Sequence, residues 1–308
     1  MMDDISAPAA SPADIGADMD AGKGSALVLG GDGGLLGQAL TAALRRAGYT
    51  VRATGRGDFG PSDTEALEEL LDAVKPKLLF NTVAYTQVDK AEDEEEKAYE
   101  LNRFLPAMLG RLAAGRPLHF THFSTDFVFD GRKETPYATD DPVAPLSVYG
   151  KSKLAGEQAL LQLGLPNCAI VRTAWLFGPG KKNFISTILG LCEERQSINV
   201  VFDQTGSPTY TVDLAAHALS LAEAGGSGVF HIVNSGSANW CEFAAEAVHL
   251  TQRECAVTPI PSAEYPQKAK RPAYTVLDTS RFTALTGITP RPWPQALADY
   301  IYTSFTAE

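Results

Sequence analysis

The apolar run Ala26-Leu27-Val28-Leu29 passes directly into glycines, and from Leu36 to Ala47 apolar residues recur at helical spacing until Gly48. A strand buried on both faces reads as such a continuous run, and a glycine after the last helical position is a stop signal. Between strand and helix lies Gly31-Asp32-Gly33-Gly34-Leu35-Leu36-Gly37. The spacing Gly31-x-x-Gly34-x-x-Gly37 assigns three jobs. The first glycine permits the tight turn, the second lets backbone amides approach a pyrophosphate, and the third lets helix and strand pack closely. The helix N-terminus then faces the anion. Strand, turn and helix in this order make the spacing a dinucleotide-binding fingerprint.

The rhythm continues downstream. Thr50 to Thr54 reads as a second strand, Thr64 to Val74 as a helix stopped before Pro76, and Leu78-Leu79-Phe80 as a third strand. Helices are expected from Glu92 to Leu101 and from Pro106 to Ala114. Strands follow at Leu118 to Phe123 and Ala169 to Arg172, with a helix from Tyr149 to Leu163 between them. Alternation of this kind predicts an α/β fold, a Rossmann-type doubly wound parallel sheet. From about residue 176 loops, prolines and short strands dominate. The expected division is a disordered tail at 1–24, a dinucleotide-binding domain at 25–175, and at 176–308 mainly a smaller C-terminal substrate-binding lobe. Some segments of that lobe are expected to return to the main sheet.

Composition narrows the partners. The 308 residues carry a net charge of -11, which argues against a general nucleic-acid surface. No apolar run reaches the length of a membrane span. Residues 1–24 are acidic, lack arginine and have neither the basic nor the apolar region of a secretory signal. Cys168, Cys192, Cys241 and Cys255 show no C-x-x-C pairing, which suits a reducing cytoplasm. His119 and His122, three apart on a strand, point to opposite faces and make poor joint metal ligands. The acidic run Asp93 to Glu96 reads as a solvated helix face, and no metal site is expected.

The chemistry concentrates at Tyr149-Gly-Lys-Ser-Lys153. Side chains at i and i+4 share a helix face, so a phenol and an ammonium meet over one ligand. A cation beside the phenol favours the phenolate and makes tyrosine a better proton donor. At an effective dielectric near 20, charges about 4 Å apart interact by about 4 kcal/mol, enough in scale for about three pKa units. Phe123-Ser124-Thr125-Asp126 reads as a strand leading into a hydroxyl-bearing loop at the sheet's carboxyl edge, where such folds bind ligands. Thr125 is assigned a hydrogen bond to a substrate carbonyl and to the Tyr149 phenol, and Lys153 a hold on the nicotinamide ribose. The arrangement reads as a nicotinamide-dependent carbonyl reductase. At the end of the second strand, Thr54-Gly55-Arg56 offers an arginine to a 2′-phosphate where an acid would take the 2′-hydroxyl. That tilts the expected cofactor to NADPH, with NADH as the alternative.

With these residues in hand, the chain resembles the dTDP-4-dehydrorhamnose reductases of the extended short-chain dehydrogenase/reductase superfamily, from about Leu27 to about Tyr300. The matching segments are Asn81-Thr-Val-Ala-Tyr-Thr-Gln-Val-Asp-Lys-Ala-Glu92, Phe123-Ser-Thr-Asp-Phe-Val-Phe-Asp-Gly131 and Val148-Tyr-Gly-Lys-Ser-Lys-Leu-Ala-Gly-Glu157. Val171-Arg-Thr-Ala-Trp-Leu-Phe-Gly178, Asp203-Gln-Thr-Gly-Ser-Pro-Thr-Tyr210, Lys270-Arg-Pro-Ala-Tyr274 and Arg291-Pro-Trp293 follow. The resemblance implies reduction of the C4 ketone of dTDP-6-deoxy-L-lyxo-4-hexulose to dTDP-L-rhamnose. It makes Tyr149 the proton donor and Lys153 a cofactor ligand, and it has Thr125, Asp126 and Trp175 contact the sugar. Cofactor contacts are implied at Gly34, Leu35, Leu36, Asp58, Phe59, Ala84, Tyr85, Thr86 and Phe123. Lys181, Lys182 and Arg271 are candidates for the diphosphate or nucleotide.

Some members of that family bind magnesium at a dimer interface through a glutamate shortly after the glycine loop. Ala39 stands there, so neither that metal nor that dimer is expected, and a homodimer of another kind is left open. Thr54 stands where the family often has an acid, which weakens the case for strict NADH use. Two other readings keep the same nucleotide fold. One is a non-catalytic NADP-binding module similar to the beta subunit of methionine adenosyltransferase, and the other is a nucleotide-sugar epimerase.

Overall fold

Ala26 and Val28 face one side of the first strand and Leu27 and Leu29 the other, and this alternation sorts the helices into two layers. In the computed structural model, which describes residues 22–305, strand β1 (Ser25–Leu29) is followed by helix α1 (Leu35–Arg46). Strand β2 (Thr50–Ala53), helix α2 (Thr64–Val74) and strand β3 (Leu78–Asn81) come next. Helix α3 (Leu105–Ala113) precedes strand β4 (His119–Thr125), and helix α4 (Val148–Gln162) precedes strand β5 (Cys168–Thr173). After a long excursion the chain returns as helix α5 (Thr211–Glu223) and strand β6 (Gly228–His231).

The six strands run parallel in the order β6-β5-β4-β3-β1-β2. Leu36, Leu40 and Leu44 of α1 join Leu214, Ala218 and Leu221 of α5 over one face. Leu67 and Leu71 of α2, Leu105 and Leu109 of α3, and Leu160 of α4 cover the other. Because β2 and β3 flank β1 on opposite sides, the crossover changes direction there and opens a crevice beyond the strands' carboxyl ends, the usual ligand position in such sheets.

Apart from α5 and β6, the chain beyond residue 175 builds a smaller lobe from three two-stranded ladders: Leu176–Phe177 with Thr209–Tyr210, Ser197–Val201 with Ala256–Ile260, and Thr205–Gly206 with Ala238–Asn239. Its core gathers Phe177, Ile185, Leu189, Phe243, Leu297 and Tyr300. The tail expected at 1–24 lies outside the described residues up to position 21. Lys23 already belongs to the folded body, its N–H donating to Gly48 O at 3.1 Å. Among the described residues no helix is long and apolar enough to cross a membrane.

Two expectations change. The helix anticipated over Glu92 to Leu101 is instead Val88–Ala91, a break at Asp93 and Glu94, Glu95–Tyr99, and a π-helical segment Glu100–Phe104 that runs into α3. Leu105 N–H bonds to Glu100 O, five residues back. The wider turn accommodates Pro106, whose missing N–H and bulky ring disrupt a regular α-turn. Strand β4 runs two residues further than expected, pairing Ser124 with Arg172 and Thr125 with Thr173. Ser124 and Thr125 are therefore strand residues, and the bend comes at Asp126–Val128.

Candidate functional site

Helix α4 points its first turns at the carboxyl ends of β4 and β5. Ser147 caps it, accepting from Gly150 N–H at 3.2 Å, and the Val148 N–H donates to Glu92 Oε1 at 2.8 Å. Tyr149 packs its ring against the edge of Phe127, with centroids 5.7 Å apart. One turn on, Lys153 is buried and its Nζ donates to the main-chain oxygen of Phe123 at 2.5 Å. Burial lowers the Lys153 pKa to about 8, while Glu157, a further turn along, works in the opposite direction.

Tyr149 departs from the electrostatic expectation. Burial pushes its phenol up to about 12; the neighbouring Thr125 hydroxyl works against this, and the nearby Asp126 charge adds to it. The bias toward phenolate expected from Lys153 does not appear, because burial is the leading influence on this phenol. At neutral pH Tyr149 therefore keeps its proton.

Thr125 and Asp126 meet below this phenol. Thr125 Oγ1 donates to Asp126 Oδ1 at 3.0 Å and accepts from Phe127 N–H at 3.2 Å. Thr275, a residue absent from the sequence reading, donates to Asp126 Oδ2 at 2.5 Å. Burial raises the Asp126 carboxyl to about 6 despite these two donors. Behind it, Arg172 of β5 pairs with Glu157 of α4 at 2.8 Å, both almost fully buried, and Ser124 donates to the same carboxylate. That network ties α4 to β4 and β5.

Asn102 was also missed. Its Oδ1 accepts from Tyr85 N–H at 2.9 Å, and its Nδ2 donates to Tyr85 O at 3.1 Å and to Ser152 Oγ at 2.9 Å. Ser152 in turn donates to Tyr149 O at 2.8 Å. One buried amide in the π-helical segment thus links the loop after β3, which carries Ala84, Tyr85 and Thr86, to the helix of Tyr149. The available signal was an asparagine inside an otherwise helical stretch, shortly before Pro106.

At the glycine turn the jobs redistribute. The left-handed residue is Gly30, at φ 81, one position before the expected first glycine. A carbon added at Gly37 would stand 2.1 Å from Gly30 O, so close helix–strand packing does rest on Gly37. The Leu36 side chain turns into the core, leaving only its main chain for a ligand. Thr54 is buried, with Oγ1 accepting from Gly30 N–H at 3.3 Å, so its side chain holds the turn. Arg56 is exposed. Asp58 folds back, its Oδ2 accepting from Gly55 N–H at 2.6 Å and its Oδ1 from Arg52 at 3.1 Å. Phe59 packs against the α2 layer.

Two expected substrate contacts separate. Trp175 stands at the junction of the core beyond Asp126 and the core of the smaller lobe. Arg271 is committed elsewhere: it pairs with Asp89 through both carboxylate oxygens, and Gln267 Oε1 accepts from it at 3.0 Å. These bonds, with one to Ala269 O, engage its two terminal nitrogens and make it a clamp within the protein. Lys181 and Lys182 remain exposed on the loop after Gly178.

A helix whose N-terminus has no side-chain cap and no acid in its first turn, behind a glycine turn, can receive a dinucleotide. A protonated phenol one helical turn from a buried ammonium can hand a proton to an oxygen. Placed along the carboxyl edge of one parallel sheet, the two define a Rossmann-type nicotinamide-dependent oxidoreductase. Residues 25–305 match the family described as RmlD substrate binding domain, and the chain belongs to that family, the dTDP-4-dehydrorhamnose reductases. It is 41% identical over 291 residues to the dTDP-4-dehydrorhamnose reductase of Mycobacterium tuberculosis, covering 90% of this chain and 93% of the relative. It is 38% identical over 270 residues to a dTDP-4-keto-6-deoxy-D-glucose reductase of Streptomyces niveus, covering 87% and 93%. The structure of the dTDP-4-dehydrorhamnose reductase of Bacillus anthracis in complex with NADP superposes with a TM-score of 0.87 at 30% identity, over 92% of this chain and all of that one.

Proposed function

We propose that this protein reduces the C4 ketone of dTDP-6-deoxy-L-lyxo-4-hexulose to dTDP-L-rhamnose, using NADPH, or NADH as the second choice. The observation that carries the reading is the Tyr149 phenol, held protonated beside Thr125 and Asp126 on the helix that also buries Lys153. In this reading residues 25–175 take the cofactor and residues 176–308 mainly the nucleotide sugar. The four unpaired thiols fit a reducing compartment, the cytoplasm.

The glycine turn fits a dinucleotide. Gly33 faces open space while Gly34 and Gly37 close on Gly30 O, so backbone alone lines the approach to the free N–H groups of α1. Bound there, the nicotinamide cofactor supplies the hydride. Gly31, Gly34, Leu35 and Gly37 hold the diphosphate through the main chain, with Arg56 and Asp58 beside the ribose. Ala84, Tyr85, Thr86 and Phe123 border the rest, and Lys153 holds the nicotinamide-side ribose. The Thr125 hydroxyl orients the ketone. As the carbonyl oxygen gains charge, Tyr149 transfers its phenolic proton to it, completing the alcohol. Asp126 and Trp175 hold the sugar for that transfer.

The test supplies the dTDP-4-keto-6-deoxy-L-sugar and follows nicotinamide absorbance with each cofactor. Formation of dTDP-L-rhamnose supports the reading, and turnover of a D-configured 4-keto sugar in its place reassigns the substrate. Absence of turnover from folded, nucleotide-binding protein supports the non-catalytic module, and tightly retained NAD with epimerised product supports the epimerase.

A further inference from the structure

Trp175 has φ 48, a left-handed backbone that a bulky side chain keeps only when its surroundings hold it. Lys75 and Gln252, which share that setting, lie just past helix ends, where it is common. Trp175 lies between β5 and the smaller lobe, and its surroundings are specific. Its indole stacks on that of Trp240 with ring centroids 3.5 Å apart and planes 6° from parallel. Phe184 packs on Trp240 with centroids 4.6 Å apart and planes tilted by 55°. Gly206 passes the indole edge so closely that an added carbon would stand 2.6 Å from it. The carbonyl of Trp175 accepts from Thr209 N–H at 3.1 Å.

Trp240 is itself fixed. It opens the helix Trp240–Leu250, whose entry is set by reciprocal bonds between Asn239 and Glu242 at 2.8 and 2.9 Å. The strand Ala238–Asn239 just before it pairs with Thr205–Gly206. The residue that presses the edge of Trp175 therefore lies in this small ladder, and the residue that covers its face follows the ladder directly.

We propose that Trp240 is a positioning residue for the sugar-facing wall: stacked on Trp175, it holds that indole in its left-handed setting and closes one of its two faces, leaving the sugar the other. This rests on the reading of Trp175 as a sugar contact. A spacing of 3.5 Å is van der Waals contact, so nothing intercalates between the rings. The stack fixes the tilt of the wall and with it the angle at which the ketone reaches Tyr149.

The experiment compares full-length Trp240→Leu, Trp240→Phe and Trp175→Leu. The readouts are near-ultraviolet circular dichroism of the coupled indoles, NADPH affinity, and KM and kcat for the dTDP-4-keto sugar. Trp240→Leu is expected to lose the indole coupling, keep NADPH affinity within about twofold, and raise KM about tenfold. Trp240→Phe, which keeps an aromatic face, is expected to restore most of the KM without the indole signal. Loss of coupling with unchanged KM in Trp240→Leu, while Trp175→Leu raises KM, overturns the proposal. Unchanged KM in Trp175→Leu sinks the sugar-wall reading itself, and the proposal with it. Should Trp240→Leu not fold, Gly206→Ala pushes the same indole from its edge; altered dichroism with unaltered KM then overturns the proposal, and a raised KM supports it.

Discussion

Arg271 grips Asp89 with two parallel bonds, NH1 to Oδ1 at 3.0 Å and NH2 to Oδ2 at 2.7 Å, and the N–H groups of Lys268 and Ala269 add two more donors to Oδ1. The Arg271 bond leads in drawing the Asp89 carboxyl down to about 2. The segment clamped here carries Thr275 to Asp126 a few residues later, so a link to the helix Val88–Ala91 also braces Asp126. Asp89 is 43% exposed by side chain, which weakens the pair through solvent screening. Arg271→Ala is expected to cost about 1 kcal/mol by denaturant unfolding at neutral pH, and Arg271→Lys to recover little, since an ammonium cannot bond both oxygens in parallel. The Asp89 pKa is depressed, so its contribution is present above about pH 4 and is lost as pH falls toward about 2.

Tyr149→Phe removes the transferred proton and leaves the ring packed on Phe127. Turnover is expected to fall about a thousandfold with NADPH affinity within about twofold of wild type. Near wild-type turnover from this variant would falsify the proton-donor assignment.

Asp126 gives a pH signature of opposite sign to Asp89. Its folded carboxyl titrates near 6, above the ordinary value, so the folded state holds a proton that the unfolded chain releases between about pH 4 and pH 6. The associated stability is fully present below about pH 4 and is lost as pH rises through about 6, an amount of about 3 kcal/mol. Asp126→Asn has no such titration. The difference in unfolding free energy between wild type and variant, measured at both ends of that window, is expected to shift in favour of the variant at the higher pH; a constant difference rejects the account.

Glu157 and Arg172 are buried together, and removing one leaves the other charged without a partner. Glu157→Gln is expected to destabilise the fold by about 3 kcal/mol or more. It also withdraws the charge that helps Lys153 keep its proton, so the alkaline limb of the activity profile should move to lower pH. An unmoved limb in a folded variant separates Lys153 protonation from catalysis.

In the proposed function, Asp58 and Arg56 oppose one another at the ribose end. Asp58→Ala removes a negative charge beside Gly55, frees Arg52, and is expected to raise the NADPH-to-NADH ratio of kcat/KM about tenfold, while Arg56→Ala lowers it. The ratio measured in both variants decides; equal ratios would show that neither side chain reads the 2′-position.

Periodicity located the elements whose burial is regular. Helix α2 runs from Thr64 to Val74 as its spacing predicts, with Asp63 capping it and Pro76 beyond its end. The parallel order and the glycine turn follow from residues close together in the chain. Helix Glu92 to Leu101 failed because its pattern was local while its breaking was not: Asn102 turns inward to bond Tyr85 and Ser152, and the π-turn exists to place it. Tyr149, Lys153, Thr125 and Asp126 were legible because they lie within short segments. Thr275 and Trp240 were not, since each meets its partner across a long loop of chain that no spacing rule reaches. The raised Tyr149 pKa was misjudged for a related reason, as the burial that leads it is set by packing from distant segments.

The return of α5 and β6 has a consequence for engineering. β6 hydrogen-bonds along β5, and α5 covers the same sheet face as α1, so the excursion that builds the smaller lobe is laced into the sheet at both ends. A fragment cut after residue 175 would carry a bare β5 edge and an uncovered apolar face, an invitation to aggregate. Exchanging one lobe for another to change sugar preference therefore needs three splice points, one before Leu176, one before Thr211 and one after His231.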